Sequence, residues 1–281
     1  MGAPLRSFIK WGLGALAAFA GIALIVALPG IGPLAKATVL LAAAVVGGFA
    51  AWRELPAFDP LGRVAWRLPR QAQRTCAITF DDGPSADTPR VLEILERHQV
   101  KATFFVLAAN ARRHPEVLRA LAARGHTVAI HGVTHRKVHH DSQAAVEREL
   151  AAAIDELAAL GVTPARLYRP PHGLKSTAAL RAARKLRCAP WAWSRGIWDT
   201  DRPEPLTLVK RATRFARSRM VLLLHDGRGD ETSPDIEPML AALPDILSRL
   251  RASGFAFATL DRVAPPRLSR AESSREGLGT L

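Results

Sequence analysis

The sequence predicts an α/β architecture: a mostly parallel sheet, open or closed into a barrel, behind an apolar N-terminal segment. Three observations predict it. From Thr75 onward, short β-type runs alternate with amphipathic helical runs in about seven units, the pattern of a parallel sheet with crossover helices. Before that, the first 52 residues hold two long uncharged stretches. Finally, polar residues with chemical potential stand where four of the strands end, the place where parallel α/β folds put their chemistry.

Residues 11–28 carry no charge and are rich in Ala, Leu, Ile and Gly. As a helix at ~1.5 Å per residue they reach about 27 Å, close to the hydrocarbon thickness of a bilayer. The breakers Pro29, Gly30, Gly32 and Pro33 follow, and then a second uncharged run, 37–52, slightly short for a full span. A cleaved signal accounts for the first run but not the second. Residues 1–55 therefore read as a transmembrane helical hairpin with Trp11 and Trp52 as interfacial anchors. A single anchor followed by an apolar linker is the alternative. Arg6 and Lys10 flank the hairpin on one side and Arg53, Arg63, Arg67, Arg70 and Arg74 on the other, whereas its turn holds only Lys36. If both runs span the inner membrane, this asymmetry places the downstream domain on the cytoplasmic side; if only one spans, the domain is exported.

A basic linker is expected over 56–74, a folded domain over 75–264 and a polar tail over 265–281. Within the domain the strands are expected at 76–80, 102–107, 127–130, 167–169, 191–194, 221–224 and 255–259. Amphipathic helices fall at 89–98, 115–124, 142–160, 177–186, 206–217 and 236–253. Gly125, Gly161 and Gly254 stand where helix C-caps belong.

The chain's formal net charge of +14 divides into +3 on residues 1–55, +1 on the tail and +10 on the middle. That excess is spread along the chain with no basic blocks interleaved with aromatics, so no nucleic-acid partner is expected. Attraction to an anionic membrane face or substrate remains open. Cys76 and Cys188 lie in apolar runs, which fits buried free thiols or at most one bridge, not a disulfide framework.

The first strand ends in Thr79-Phe80-Asp81-Asp82-Gly83-Pro84. Adjacent carboxylates on a turn point in different directions, so one can bind a metal while the other takes a proton; the same residues also make an ordinary turn. The third strand runs into His131-Gly132-Val133-Thr134-His135. Histidines four apart on a helical turn reach one metal, and two His plus one carboxylate form the ligand set of a hydrolytic zinc site. His139 and His140 read as loop residues, and His98, His114 and His126 as surface or capping residues. The fourth strand ends in Arg169-Pro170-Pro171-His172-Gly173, a rigid turn beside a guanidinium able to hold a carboxylate. The sixth ends in His225-Asp226-Gly227, a histidine placed to act as a general acid.

In these motifs the stretch from about Thr75 to Thr259 resembles the polysaccharide deacetylase family, the NodB homology domain of carbohydrate esterase family 4. The resemblance implies a distorted (β/α) barrel of about seven parallel strands. It implies a metal-dependent hydrolase that removes an N-acetyl or other N-acyl group from an amino sugar. Asp82, His131 and His135 would hold a divalent metal, usually zinc. Asp81 would be the general base, oriented by Arg169, and His225 the acid. The backbone N–H of His172 would help hold the oxyanion, because Pro171 has none. Asp199 matches the carboxylate that fixes the arginine in this family, with Asp201 as its rival. His172 stands where the family commonly has an aromatic residue, and the segment 193–201 departs from the family's fourth motif. Trp191, Trp193 and Trp198 are available to stack on a sugar ring or to pack in the core. With the hairpin, the expected substrate is a glycolipid or lipid-linked amino sugar. An extracytoplasmic peptidoglycan or polysaccharide, and a non-catalytic carbohydrate-binding protein on the same fold, are the alternatives.

Overall fold

The computed structural model describes residues 30, 32–54 and 64–263. Helix α1 (Pro33–Glu54) contains the second uncharged run. Between Lys36 and Arg53 that run reaches only about 24 Å, short of the ~30 Å hydrocarbon layer. Among the described residues no helix is long and apolar enough to cross a membrane. The hairpin's second span thus finds no support, while its first, 11–28, and the tail 265–281 lie outside the described residues.

The domain carries β1 (Thr75–Asp81), α2 (Thr88–Arg97), β2 (Thr103–Leu107), α3 (Ala108–Arg113), α4 (Pro115–Ala123) and β3 (Thr127–Gly132). It continues with α5 (Gln143–Ala159), β4 (Leu167–Tyr168), α6 (Thr177–Lys185), β5 (Ala189–Pro190), β6 (Arg195–Gly196) and α7 (Pro205–Thr213). It ends with β7 (Met220–His225), α8 (Glu237–Ala252), β8 (Ala256–Phe257) and α9 (Leu260–Val263). Every pairing is parallel, in the order β5-β4-β3-β2-β1-β7-β6, with β8 paired to the start of β1. Ser142 caps α5 by accepting from the Ala145 N–H, and Gly125, Gly161 and Gly254 adopt positive φ just past helix ends, as the sequence predicts.

The expected strand 191–194 is not one strand. Its backbone changes partner at each step: Trp191 N–H donates to the Tyr168 carbonyl, Ala192 N–H to that of Ala65, and Ser194 N–H to that of Val221. These residues carry the chain from one sheet edge, β5, to the other, β6. The sheet is therefore a curled, incomplete barrel whose gap is bridged by irregular backbone. Residues 64–68 of the expected linker join this bridge, with Val64 and Leu68 buried.

Strand residues alternate between two apolar layers, as the period of two requires. Cys76, Ile78, Phe80, Val128, Ile130, Leu222 and Leu224 face the helices. Ala77, Phe105, Ala129, Leu167 and Val221 fill the barrel interior. Counting in twos from that second set reaches Asp81, His131, Arg169 and His225, so one phase of the sheet delivers all four polar side chains to the interior rim.

Two sequence expectations about lesser residues divide. Cys76 and Cys188 are free and buried, as expected. His126 is not a surface or capping residue: it is buried against Phe104, edge to face at 5.5 Å, and its Nδ1 accepts from the Ala102 N–H at 3.1 Å. Burial, aided by Lys101 and Arg124, pushes its pKa down to about 4.

Candidate active site

Arg169 crosses the barrel interior fully buried. Its Nη1 donates to Asp81 Oδ1 at 2.6 Å and to Thr79 Oγ1 at 3.0 Å, and its Nη2 donates to the Ala192 carbonyl at 3.0 Å. Its guanidinium lies 4.0 Å from the centre of the Phe105 ring. Burial lowers the Arg169 pKa, and Asp81 opposes that shift by favouring the charged form. Asp81 is thereby held on one oxygen by a single charged donor of a guanidinium that is itself fixed by Thr79 and the Ala192 carbonyl.

Asp82 follows at φ 74°, in the left-handed region that β-carbon sterics disfavour. That turn swings its carboxylate away from Asp81 toward the two histidines. Its Oδ1 lies 3.2 Å from Nε2 of both His131 and His135, and the three ligand atoms fall within 4.8 Å of one another. His131 Nδ1 sits 2.7 Å from the Arg169 carbonyl, which has no proton to give. Nδ1 must therefore carry the hydrogen, and Nε2 presents a lone pair. The buried Asp82 Oδ1 has no hydrogen-bond partner. Lone pairs converging without a proton between them repel, and a cation relieves that. Oxygen–nitrogen separations of 3.2 Å also approach the roughly 3.3–3.4 Å edge of a tetrahedron with zinc-like bond lengths. The residues fit a metal. Burial brings His135 down to about 3 despite the opposing pull of Asp82.

His225 stands in register with Asp81 on the neighbouring strand. Asp199 grips it twice: Oδ1 lies 2.9 Å from Nδ1, and Oδ2 accepts from the His225 N–H at 2.7 Å. Burial lowers the His225 pKa, but Asp199 overrides it and raises the value to about 10. This corrects the expectation for Asp199. Neither it nor Asp201 is among the partners of Arg169, because β6 borders β7 in the sheet and brings Asp199 to the end of that strand.

His172, at φ 58° in the 3-10 turn Pro171–Gly173, packs its ring 4.1 Å from that of His135. The N–H groups after it are used within the turn, Gly173 to Pro170 and Leu174 to Pro171. Of the tryptophans, Trp191 is buried in the interior cluster and Trp193 packs beside Gly173, whereas Trp198 is half exposed on the rim.

Several residues that support the ligands escaped the motif reading. Buried Asn110, on α3, donates through Nδ2 to the Asp82 carbonyl at 2.7 Å and to the Gly229 carbonyl at 2.9 Å. The Gly229 N–H in turn donates to Asp82 Oδ2 at 2.8 Å, and Asp230 Oδ1 accepts from the His135 N–H at 3.1 Å. The loop after β7 thus clasps two members of the candidate metal cluster, Asp82 and His135, and Asn110 locks it. The available signal was position: Asn110 follows the apolar run of β2, at another strand end. Asn110→Ala is expected to weaken metal affinity about 10–100-fold. Competition with a fluorescent chelator measures it, and an unchanged affinity removes the clasp.

Beneath the turn, the Asp226 carboxyl is buried, bonded through Oδ2 to Thr88 Oγ1 at 2.7 Å. Burial raises its pKa to about 7. A β-carbon on Gly83 would fall 2.1 Å from that carboxyl, so the turn lies directly on it. Gly83→Ala is expected to cost about 1–3 kcal/mol by overpacking. Thermal unfolding checks this; a Tm equal to wild type means the turn has room.

The family model for polysaccharide deacetylase matches residues 69–191. A peptidoglycan-N-acetylglucosamine deacetylase of Bacillus cereus is 29% identical over 208 residues, covering 73% of this chain and 94% of that protein. A chitooligosaccharide deacetylase of Azorhizobium caulinodans is 32% identical over 204 residues, covering 68% and 94%. The crystal structure of a peptidoglycan N-acetylglucosamine deacetylase with a bound N-hydroxybenzamide superposes with a TM-score of 0.66 at 26% identity, over 72% of this chain and 92% of that one. Sequence, fold and the clustered Asp82, His131 and His135 agree: the chain belongs to the polysaccharide deacetylase family, the metal-dependent carbohydrate N-deacetylases of carbohydrate esterase family 4.

Proposed function

We propose that the chain removes acetyl groups from N-acetylglucosamine units of a glycan, polymeric or oligomeric, as the activities of its relatives on peptidoglycan and chitooligosaccharides support. The observation that carries the reading is the pairing of Asp81 with His225 across adjacent strands, beside the Asp82, His131 and His135 cluster. When bound there, a divalent cation, zinc by its nitrogen and oxygen donors, polarises the acetyl carbonyl and acidifies water toward a pKa of ~7. Arg169 fixes Asp81 Oδ1, so Oδ2 takes the proton of the attacking water. The N–H of His172 supports the developing oxyanion. His225, kept protonated by Asp199, gives its proton to the departing amine, and Trp198 offers a rim surface to the sugar.

Acetate release from chitooligosaccharides and from peptidoglycan tests the reading. The zinc-loaded chain is expected to release acetate, to lose that activity on chelation and to regain it with zinc. No release from either glycan overturns it. A second reading, a lipid-linked amino sugar handled at the cytoplasmic face of the inner membrane, is favoured by α1, which leaves Leu34, Leu41 and Val45 exposed. Lipid extracts of cells with and without the protein, compared for a mass difference of one acetyl group on an amino-sugar lipid, decide between the two.

A further inference from the structure

At the end of the barrel opposite the catalytic rim, a cavity of about 400 Å³ opens at the starts of β6 and β7, lined by Trp66, Arg67, Arg195, Phe215, Arg217 and Met220. Among the described residues it has no carboxylate in its lining. Elsewhere on this arginine-rich chain the guanidinium groups of Arg90, Arg112, Arg124, Arg136 and Arg202 pair with Asp or Glu. Among the described residues, those of the cavity do not. Arg67 Nε is buried without a hydrogen-bond partner, and its guanidinium lies 4.9 Å from the centre of the Trp66 ring. Arg195 is held in place by the carbonyls of Arg214 and Phe215, at 3.2 and 3.0 Å. The turn that presents these groups keeps Phe215 and Arg219 at φ 61° and 63°, and Phe215 is 71% exposed at the rim. A buried donor with no acceptor, neighbouring guanidinium groups with no counter-ion and an exposed aromatic together describe a site lacking an anion.

We propose that this cavity binds a phosphate group, with the Arg67 and Arg217 guanidinium groups as its bidentate partners and Arg195 as a fixed third charge. Guanidinium forks match phosphate oxygens in spacing and plane. The volume lies within the roughly 300–1,000 Å³ of small-molecule sites, enough for a phosphate and its ester substituent. The phosphate comes either from a soluble ion or from a lipid headgroup, for which Trp66 and Phe215 supply amphipathic rim contacts. None of the catalytic residues enters this site, so it stands or falls apart from the deacetylase reading.

The test uses the full chain with two probes: inorganic phosphate by titration calorimetry, and vesicles of phosphatidylglycerol against phosphatidylcholine by co-sedimentation. R67Q/R217Q is compared with R148Q/R181Q, which removes the same charge from exposed positions on α5 and α6. Loss of two charge-assisted contacts is expected to weaken binding roughly tenfold or more in the cavity pair and little in the control pair. That pattern with inorganic phosphate supports a soluble source; the same pattern with phosphatidylglycerol alone supports a headgroup. Equal weakening in both pairs reduces the effect to diffuse charge and overturns the proposal, as does binding of neither probe or an unaffected cavity pair. Should the double variant fail to fold, Arg67→Gln and Arg217→Gln are read singly by the same criteria.

Discussion

Asp81→Asn is expected to lower kcat by about 10²–10⁴-fold, the range a positioned general base contributes, while metal affinity stays within threefold of wild type (about 0.7 kcal/mol). Asp82 is the carboxylate of the candidate metal cluster, its Oδ1 facing His131 and His135, whereas Asp81 faces the other way, toward Nη1 of Arg169. Asparagine keeps the oxygen that accepts from Arg169 and loses the basic one. Some stability goes with it, because a fully buried guanidinium loses its counter-charge, a loss of about 3–5 kcal/mol when nothing else holds the charge. Here Thr79 and the Ala192 carbonyl still accept from Arg169, which moderates that cost. Assays belong below the Tm of the variant, with bound zinc counted in the same sample. Full turnover with bound metal would exclude Asp81 as the base; loss of metal together with turnover would make it a structural residue. Unchanged cellular function without turnover would instead favour the carbohydrate-binding alternative.

The candidate active-site rim is legible because a strand repeats every two residues. Ala77 and Asp81, Ala129 and His131, and Val221 and His225 share a phase in their strands, so an apolar run followed by an in-phase polar residue marks both the strand and its open end. The tail of each run was readable for a related reason: Asp-Gly-Pro and Arg-Pro-Pro cannot continue a ladder. The run 191–194 misled because its composition is that of a strand. Trp191 and Ala192 are indeed buried, but burial there comes from bridging two sheet edges, and no local pattern distinguishes a bridge from a strand.

What escaped was pairing across the sheet. Motif order matches Asp199 to Arg169, yet its partner follows from strand order, in which β7 lies between β1 and β6. Asn110 and Gly229 are 119 residues apart and meet only because the loops after β2 and β7 close over the end of β1. Periodicity fixes which face a side chain takes; it does not say which distant loop covers it. His126 shows the same limit on a smaller scale, since its buried acceptor role depends on the Ala102 N–H of a different strand entry.

Asp199→Asn turns that pairing into a pH measurement. His225 is raised to about 10 against the burial that lowers it, with Asp199 the chief opposing influence. A histidine acting as general acid works while protonated, so wild-type activity falls on the alkaline side only as pH climbs through that raised value. Without the Asp199 charge, only the smaller influences of Asp82 and Asp81 oppose burial, and the pKa falls toward the ordinary ~6.5. At pH 8.5 a group of pKa ~6.5 is about 1% protonated, so the variant is expected to be roughly 100-fold slower there, with a much smaller deficit near pH 6. Stability follows the same sign: the Asp199–His225 pair stabilises the fold fully below the unfolded pKa of ~6.5, and that contribution is lost as pH rises through the folded value. The Tm difference between wild type and variant is therefore largest in acid and shrinks toward pH 10. Rate profiles and melting curves across pH 5–10 measure both. An alkaline limb that stays in place in the variant would show that another group protonates the leaving amine. A limb that moves down by two or more pH units, while bound zinc stays constant, assigns the acid to His225 and its tuning to Asp199.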